Sequence, residues 1–347
     1  MNTPKNILIV RTDRIGDVVL SLPLASIIKK HFPSAKVTFL LRNYTAPLAA
    51  NNPDIDDVII LKENGGKSGI KENVNMLKNK FDICVTAFPT FRIALILFLS
   101  KIKTRVGSGY RWYSFLFNKK VYEHRKFAEH HELEFNVRLL KQIGIDENVN
   151  RGNVEFKLTP LPERIKVIEK DFKSLGIDEK KKIIIVHPGS GGSSVDLPSD
   201  MLKELIEKIS SDPGLEILIT GSNAEAELCQ QLVVNGRTKN LAGKYELPEL
   251  IALIDKADLM IANSTGPVHI AAALGKYVVG FYPHIVSCSE ERWGPYTNKK
   301  NIFKPAVQSR QKNKEDYRRE NLMRTINVDE VWESVKSILP GTGSEKK

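Results

Sequence analysis

One stretch restricts this chain more than any other. An apolar run, Ala257–Ile261, leads into Asn263-Ser-Thr-Gly-Pro267, then an Ala-rich segment that Gly275 can close, then a second apolar run, Tyr277–Phe281. Strand, polar turn, helix and strand make a βαβ unit, which requires a parallel sheet. Ligands of such sheets bind at the carboxyl ends of the strands. Here that end carries Asn263, Ser264, Thr265 and Gly266, with the amides of a helix start beside them. Helix starts attract anions, phosphate above all. Capping alone would account for one of these polar residues. His269 follows one turn into the helix, where facing a phosphate and sitting buried in the core are both open to it.

The chain begins with a second unit of this kind. Asn6–Val10 reads as a buried strand, Arg11-Thr-Asp-Arg-Ile-Gly-Asp17 as a polar turn, Val18–His31 as a helix with Pro23 marking a start or kink, and Lys36–Leu41 as the next strand. The turn holds Gly16 alone where a dinucleotide fingerprint needs three glycines. A third strand-to-helix loop follows the apolar run Ile183–Val186. It is His187-Pro-Gly-Ser-Gly-Gly-Ser-Ser194, whose Ser190, Gly191, Gly192 and Ser193 let bare amides approach a phosphate closely.

The alternation of strands and helices continues along most of the chain. Asp57–Leu61, Phe81–Thr86, Thr104–Gly107 and Leu215–Gly221 read as strands, and Glu72–Lys80, Arg92–Ser100 and Leu247–Lys256 as helices. Lys62–Lys71 and Ser289–Tyr296 read as loops, and Lys304–Arg324 as basic and irregular. A polar stretch near Asp146–Asn153 with Pro160 and Pro162 reads as a linker. We therefore expect an N-terminal domain over 1–158, a C-terminal domain over 159–325 and a final capped helix and tail over 326–347.

Charge and cysteines narrow the function. With 52 Lys+Arg against 41 Asp+Glu the net charge is +11, a surplus that suits nucleic acid, an anionic membrane surface or a phosphorylated substrate. The three cysteines, Cys84, Cys229 and Cys288, have neither disulfide-framework nor zinc spacing, so reduced thiols in a cytoplasmic protein are expected. No signal peptide is expected, and the longest apolar stretch, Ile93–Leu99, is too short to span a bilayer. His130, His131 and Glu134 lack the spacing that puts two metal ligands on one helical face, so no metal site is expected and a substrate-facing helix start is preferred. Between Ser108 and Phe127, Arg111, Lys119 and Lys120 alternate with Tyr110, Trp112, Tyr113 and Phe115. Such a stretch can meet nucleic acid, a membrane surface or a sugar, or be a packed loop with exposed lysines.

Three segments together resemble glycosyltransferase family 9, the ADP-heptose:lipopolysaccharide heptosyltransferases and their relatives. They are Ile7-Leu-Ile-Val-Arg-Thr-Asp-Arg-Ile-Gly-Asp-Val-Val-Leu-Ser-Leu-Pro23, His187-Pro-Gly-Ser-Gly-Gly-Ser193 and Asn263–Gly275, with Arg292-Trp-Gly-Pro295 downstream. The resemblance implies a GT-B fold: two Rossmann-like domains facing across a cleft, acceptor on the N-terminal half, nucleotide-sugar on the C-terminal half, and the final helix packed back on the N-terminal domain. It implies inverting transfer of a sugar, heptose in the named enzymes, from a nucleotide-diphosphate donor such as ADP-heptose to a lipopolysaccharide core or related anionic glycolipid. The enzyme would be cytoplasmic and peripheral on the inner membrane face, with no cofactor beyond the donor and no nucleic-acid partner.

By the same resemblance Asp17, after Gly16, is the base. Asp13, Arg14 and Arg111 serve the acceptor. Ser190, Gly191, Gly192, Ser193, Gly243, Lys244, Ser264, Thr265, Gly266 and His269 serve the donor. The chain departs from many members at Val195 and Leu197, where Lys and Trp are common, and at Ser264, where Asp is common. The missing Lys motivates a second reading, a catalytically weak GT-B-like nucleotide-sugar-binding protein.

Overall fold

The structure is a computed structural model that describes residues 4–63, 66–234, 236–306 and 313–339. It divides into two units between Thr159 and Pro160, one residue beyond the expected boundary. Each unit is built on one six-stranded sheet whose strands are all parallel.

In the first unit the strands are β1 (Asn6–Val10), β2 (Lys36–Leu41), β3 (Asp57–Ile60), β4 (Ile83–Thr86), β5 (Thr104–Ser108) and β6 (Lys119–Val121), in the order β3-β2-β1-β4-β5-β6. Ile7, Leu8, Ile9 and Val10 are consecutive and all fully buried. Consecutive strand residues point to opposite faces, so β1 is covered on both, which is why its sequence is apolar without alternation. The second unit repeats the plan with β7 (Lys182–His187), β8 (Leu215–Ile219), β9 (Thr238–Asn240), β10 (Leu259–Asn263), β11 (Tyr277–Phe281) and β12 (Lys300–Phe303), in the order β12-β11-β10-β7-β8-β9.

The strand order fixes where chemistry can sit. In the first unit the chain winds outward from β1 to β3, then returns to the other side of β1 at β4. In the second it winds from β7 to β9 and returns at β10. The β1/β4 and β7/β10 pairs are therefore switch points, where the loops leaving neighbouring strands diverge and open a crevice. The loop Arg11–Asp17 leaves β1. The loop 188–198 leaves β7, and the turn Ser264–Thr265 leaves β10, which pairs with β7 in the register Ala262 to His187. The two polar loops of the second unit are thus neighbours because their strands are.

Several elements differ from the sequence expectation. The helix expected over Val18–His31 is two, Ile15–Val19 and Pro23–His31, with Pro23 in the first turn of the second, where its missing N–H costs no bond. The helix expected from Glu72 starts at Gly66, inside the expected Gly/Lys/Asn loop. The strands β6 and β12 went unread. Both are sheet edges whose lysines break the apolar run. The expected loop Ser289–Tyr296 contains one helical turn, Glu290–Trp293. Within the stretch expected to be irregular lie the helix Lys314–Arg319 and the turn Leu322–Thr325, while 307–312 fall outside the described residues.

The final helix, Val328–Ile338, corrects another expectation. It does not belong to the first unit. Val331 and Val335, each 1% exposed, join Leu202, Leu205 and Ile206 of the helix Ser199–Ser210 in the core of the second. The expected tail, 340–347, lies outside the described residues. No helix among the described residues is long and apolar enough to cross a membrane.

Candidate active site

The loop after β1 is organised by Arg11, the largest fully buried side chain among the described residues. Its Nε donates to Asp13 at 2.8 Å, one terminal nitrogen to Asp17, and the other to Glu132 at 3.3 Å and Asn136 at 3.1 Å. Glu132 opens the helix Glu132–Arg138 and also accepts from Arg125. Burial alone would lower the Arg11 pKa, but the charges of Asp17, Asp13 and Glu132 outweigh it and hold the guanidinium protonated. A buried cation needs such company, since an unpaired one would cost several kcal/mol.

The two carboxylates of the loop are not alike. Burial, with a further push from Asp17, raises the Asp13 carboxyl to about 6 against the opposing pull of Arg11. The Tyr44 hydroxyl fastens its main chain by donating to the Asp13 carbonyl at 2.6 Å. Asp17 lies in the first turn of the helix Ile15–Val19, its side chain 15% exposed. Arg11 holds its Oδ1, and Oδ2 accepts no hydrogen bond from the described residues. One oxygen is fixed and the other is left to act. Ser21, which donates to the Asp17 carbonyl at 2.9 Å, and Asn136, which donates to Leu20 and Ser21, close the support.

Sequence reasoning found Asp13 and Asp17 but missed Glu132 and Asn136. The signal was their spacing of four on a helix start, which puts both on one face. The neighbouring histidines have structural work: His131 Nδ1 accepts from the Leu133 amide at 3.2 Å while Glu134 accepts from the His131 amide at 3.1 Å, a capping box. No three His, Cys, Asp or Glu side chains among the described residues group as a metal site would. Arg14 and Arg111 take no part in the Arg11 cluster. Both are exposed, Arg14 at the N-cap of Ile15–Val19 and Arg111 on the turn between β5 and β6, where its amide donates to Ser114 at 2.9 Å.

In the second unit the loop 188–198 is tied down from within and from β10. Asn263, fully buried, accepts from the Leu197 amide at 2.8 Å and donates to the Pro188 carbonyl at 2.5 Å. Ser193 Oγ lies 2.7 Å from the Ser190 carbonyl and 2.9 Å from that of Ser264, joining loop to turn. Gly191 and Gly192 have φ of +56° and +76°, a left-handed pair that other residues adopt only with strain. Val195 and Leu197 point into the core, 5% and 4% exposed. The position where many family members carry Lys is therefore an apolar anchor here.

A different ammonium reaches this loop. Lys314 Nζ donates to the carbonyls of Gly192 at 2.9 Å and Ser193 at 2.6 Å. It comes from the first turn of Lys314–Arg319, more than a hundred residues downstream, and nothing in its local sequence points to the loop. Asp196 stands in the same loop, its Oδ2 accepting from the Ser190 amide at 3.3 Å, its Oδ1 buried with no partner among the described residues, and its carboxyl raised by burial.

The remaining donor-side candidates separate. Thr265 is the N-cap of Gly266–Ala273, yet its side chain makes no cap bond, so the helix start is not closed by its own residue. His269 is buried, pushed down to about 4 by that burial, and its Nδ1 has no partner among the described residues. A neutral imidazole is no counter-ion for phosphate. Gly243 has φ +70° and its amide donates to the Gly221 carbonyl at 2.9 Å, while Lys244 is engaged by Asp171 at 3.1 Å.

Replacing Arg11 by Met tests the first cluster. It leaves three carboxylates around an apolar side chain, and urea denaturation should show a loss on the order of 3–5 kcal/mol, partly recovered by adding Glu132→Gln. A loss below about 0.5 kcal/mol would remove Arg11 as the organising group.

Comparison with known proteins gives the family and the fold. The model of glycosyltransferase family 9 (heptosyltransferase) matches residues 73–323. A Haemophilus influenzae protein provisionally named a glycosyltransferase is 30% identical over 84% of this chain and 86% of its own. The crystal structure of a family 9 glycosyl transferase from Veillonella parvula superimposes with a TM-score of 0.83 at 19% identity, covering 98% of this chain and 99% of that one. Escherichia coli ADP-heptose lps heptosyltransferase II superimposes with a TM-score of 0.75 at 16% identity, covering 96% and 98%. The architecture is thus the two-domain α/β arrangement of the GT-B class. A chain matched by the family model over most of its length, with its strand-end loops built as described, belongs to glycosyltransferase family 9 and is a glycosyltransferase.

Proposed function

We propose that this enzyme transfers heptose, with inversion, from ADP-heptose to the core of a lipopolysaccharide or a related anionic glycolipid, in one displacement and from the cytoplasmic face of the inner membrane. The observation that carries the reading is Asp17, one carboxylate oxygen held by Arg11 and the other unengaged, at the carboxyl end of β1. That is the arrangement a general base requires: a fixed group with a lone pair turned away from its anchor.

In this reading the acceptor hydroxyl loses its proton to Asp17 Oδ2 as its oxygen attacks the anomeric carbon. The bond from that carbon to the diphosphate breaks on the opposite side, and the electron pair leaves with the diphosphate. The second unit then has to stabilise that charge. The amides around Gly191 and Gly192, the helix start at Gly266 and the ammonium of Lys314 are the groups suited to it, with Ser190, Ser193, Ser264 and Thr265 as hydroxyl ligands. Gly243 and Lys244 would hold the donor's nucleotide base through main-chain atoms. His269 supports this side as a neutral, buried neighbour. Asp13, Arg14 and Arg111 would meet the acceptor, Asp13 also keeping Arg11 in place. Lys314 answers the second reading, because it restores to the loop the charge whose absence at Val195 motivated a binder without turnover.

The direct test is to incubate the protein with ADP-heptose and a heptose-deficient lipopolysaccharide, following ADP release and the anomeric configuration of the product. Asp17→Asn should keep the fold and ADP binding while transfer falls at least ~100-fold. Wild-type rates in that variant would eliminate Asp17 as the base, and retained configuration would eliminate the single displacement.

The raised Asp13 carboxyl gives a pH signature. Below about 6 it is protonated and no longer a full counter-charge for Arg11. kcat/KM should therefore fall on the acid side with an apparent pKa near 6, and Asp13→Asn should abolish that limb. A limb unchanged in the variant would assign it elsewhere.

Lys314→Ala separates charge from shape. Calorimetry should show about tenfold weaker binding of ADP, the loss of one charge-assisted contact, with adenosine binding unchanged. Equal losses for both ligands would mean that Lys314 only shapes the loop.

A further inference from the structure

Among the described residues the exposed large apolar side chains concentrate in one stretch of the chain. Of the eleven exposed large hydrophobic side chains among the described residues, nine lie between Phe88 and Phe127. Trp112 is 73% exposed, Phe115 65%, Tyr122 60% and Phe127 57%. A soluble surface scatters such residues singly, and a cluster of this kind marks a place where something binds.

The cluster is built, not frayed. Trp112 stacks on Phe91 with ring centroids 4.9 Å apart, and Tyr113 meets both edge-on. Tyr110 stacks on His124 at 4.2 Å and meets Tyr122 edge-on at 5.5 Å. Tyr113 anchors the group by donating to the Pro89 carbonyl at 2.6 Å, and Ser114 fixes the turn by donating to the Ser108 carbonyl at 3.0 Å. The rings are therefore held outward by hydrogen-bonded turns around β5 and β6, with the helix Phe91–Leu99 packed against the turn Ser114–Leu116.

The same segment carries most of the chain's net charge. From Phe88 to His130 there are nine Lys or Arg and two Glu, a net +7 of the +11 of the whole protein. No acidic residue occurs between Phe88 and Tyr122. Of the two glutamates, Glu123 is already paired with Arg138. Lys119 and Lys120 stand on the edge strand β6, and Lys126 sits 4.8 Å over the Phe127 ring. An edge strand headed by lysines disfavours pairing with a second copy of the chain.

We propose that this face, centred on Trp112, Phe115, Tyr122 and Phe127 and rimmed by Lys119, Lys120 and Lys126, docks the first unit on an anionic lipid bilayer. Aromatic rings settle at the headgroup level of a membrane, and each Lys or Arg near an anionic surface strengthens binding about fivefold. Nucleic acid is less suited, because Trp112, the most exposed ring, already has one face covered by Phe91. The proposal names the surface through which the proposed glycolipid transferase reaches its lipid, and it rests on that reading for its biological sense but not for its test.

The test is flotation of the full-length protein with vesicles of phosphatidylcholine alone and of phosphatidylcholine containing about one third phosphatidylglycerol. No donor or acceptor is present, so the outcome is independent of whether the transferase reading holds. Wild-type protein should float with the anionic vesicles only, and Trp fluorescence should shift to the blue on binding. Trp112→Ala with Phe115→Ala should weaken partitioning at least about tenfold, and Lys119→Ala with Lys120→Ala on the order of tenfold. Circular dichroism confirms that both variants are folded, as substitutions of exposed side chains should leave them. Absence of wild-type flotation, equal flotation with neutral vesicles, or unchanged flotation of the aromatic variant overturns the proposal. So does a dimer in sedimentation equilibrium that the aromatic variant converts to monomer, which would make the face a contact between copies.

Discussion

A buried guanidinium holds the loop after β1 together. Arg11 sits at the end of β1, without solvent, and its nitrogens are divided among Asp13, Asp17, Glu132 and Asn136. The fork geometry of Arg makes this possible, since five fixed N–H donors can meet several acceptors at once while a Lys ammonium presents a single point of charge. Two of those acceptors come from the loop itself and two from a helix more than a hundred residues later. The cluster thus clamps the start of the chain to its own domain's far end, and it does so beside the carboxylate proposed as the base.

In the second unit a positive charge reaches the loop after β7 from outside the loop. Val195 and Leu197 are needed by the core, so the loop after β7 cannot carry a cation at the family's usual place. The charge arrives instead from Lys314, in a helix whose Tyr317 is itself fully buried in that core. The packing of the final helix against Ser199–Ser210 belongs to the same economy, because that helix begins where the loop ends.

Much of this was legible in the sequence because the parallel sheets are buried on both faces. Apolar runs such as Ile7–Val10 and Ile183–Val186 have no other use, and the polar turns after them fall at strand ends of necessity. The place of Asp13 and Asp17 at such a strand end could be read for that reason. What could not be read is whatever depends on long-range contact. Nothing near Glu132 announces Arg11, and nothing near Lys314 announces Gly192. The edge strands β6 and β12 were missed because solvent on one side lets lysines interrupt them. The final helix was assigned to the wrong unit because an amphipathic stripe states that a helix packs, not on what. Nor does the sequence around Lys244 and His269 show that the one is paired with Asp171 and the other is a buried neutral ring.

Asn263 has a consequence for binding that its place in the turn does not suggest. Its one amide group accepts from Leu197 and donates to Pro188, so both ends of the loop 188–197 are held by a single side chain from the adjoining strand. Ordering a free backbone costs about 1–2 kcal/mol per residue. A loop already closed on itself spares a ligand most of that loss, and the conformational entropy has been surrendered during folding. Affinity for a small, highly charged group can then come from a few well-aimed amides, without a large apolar contact to offset the disorder it would otherwise have to quench.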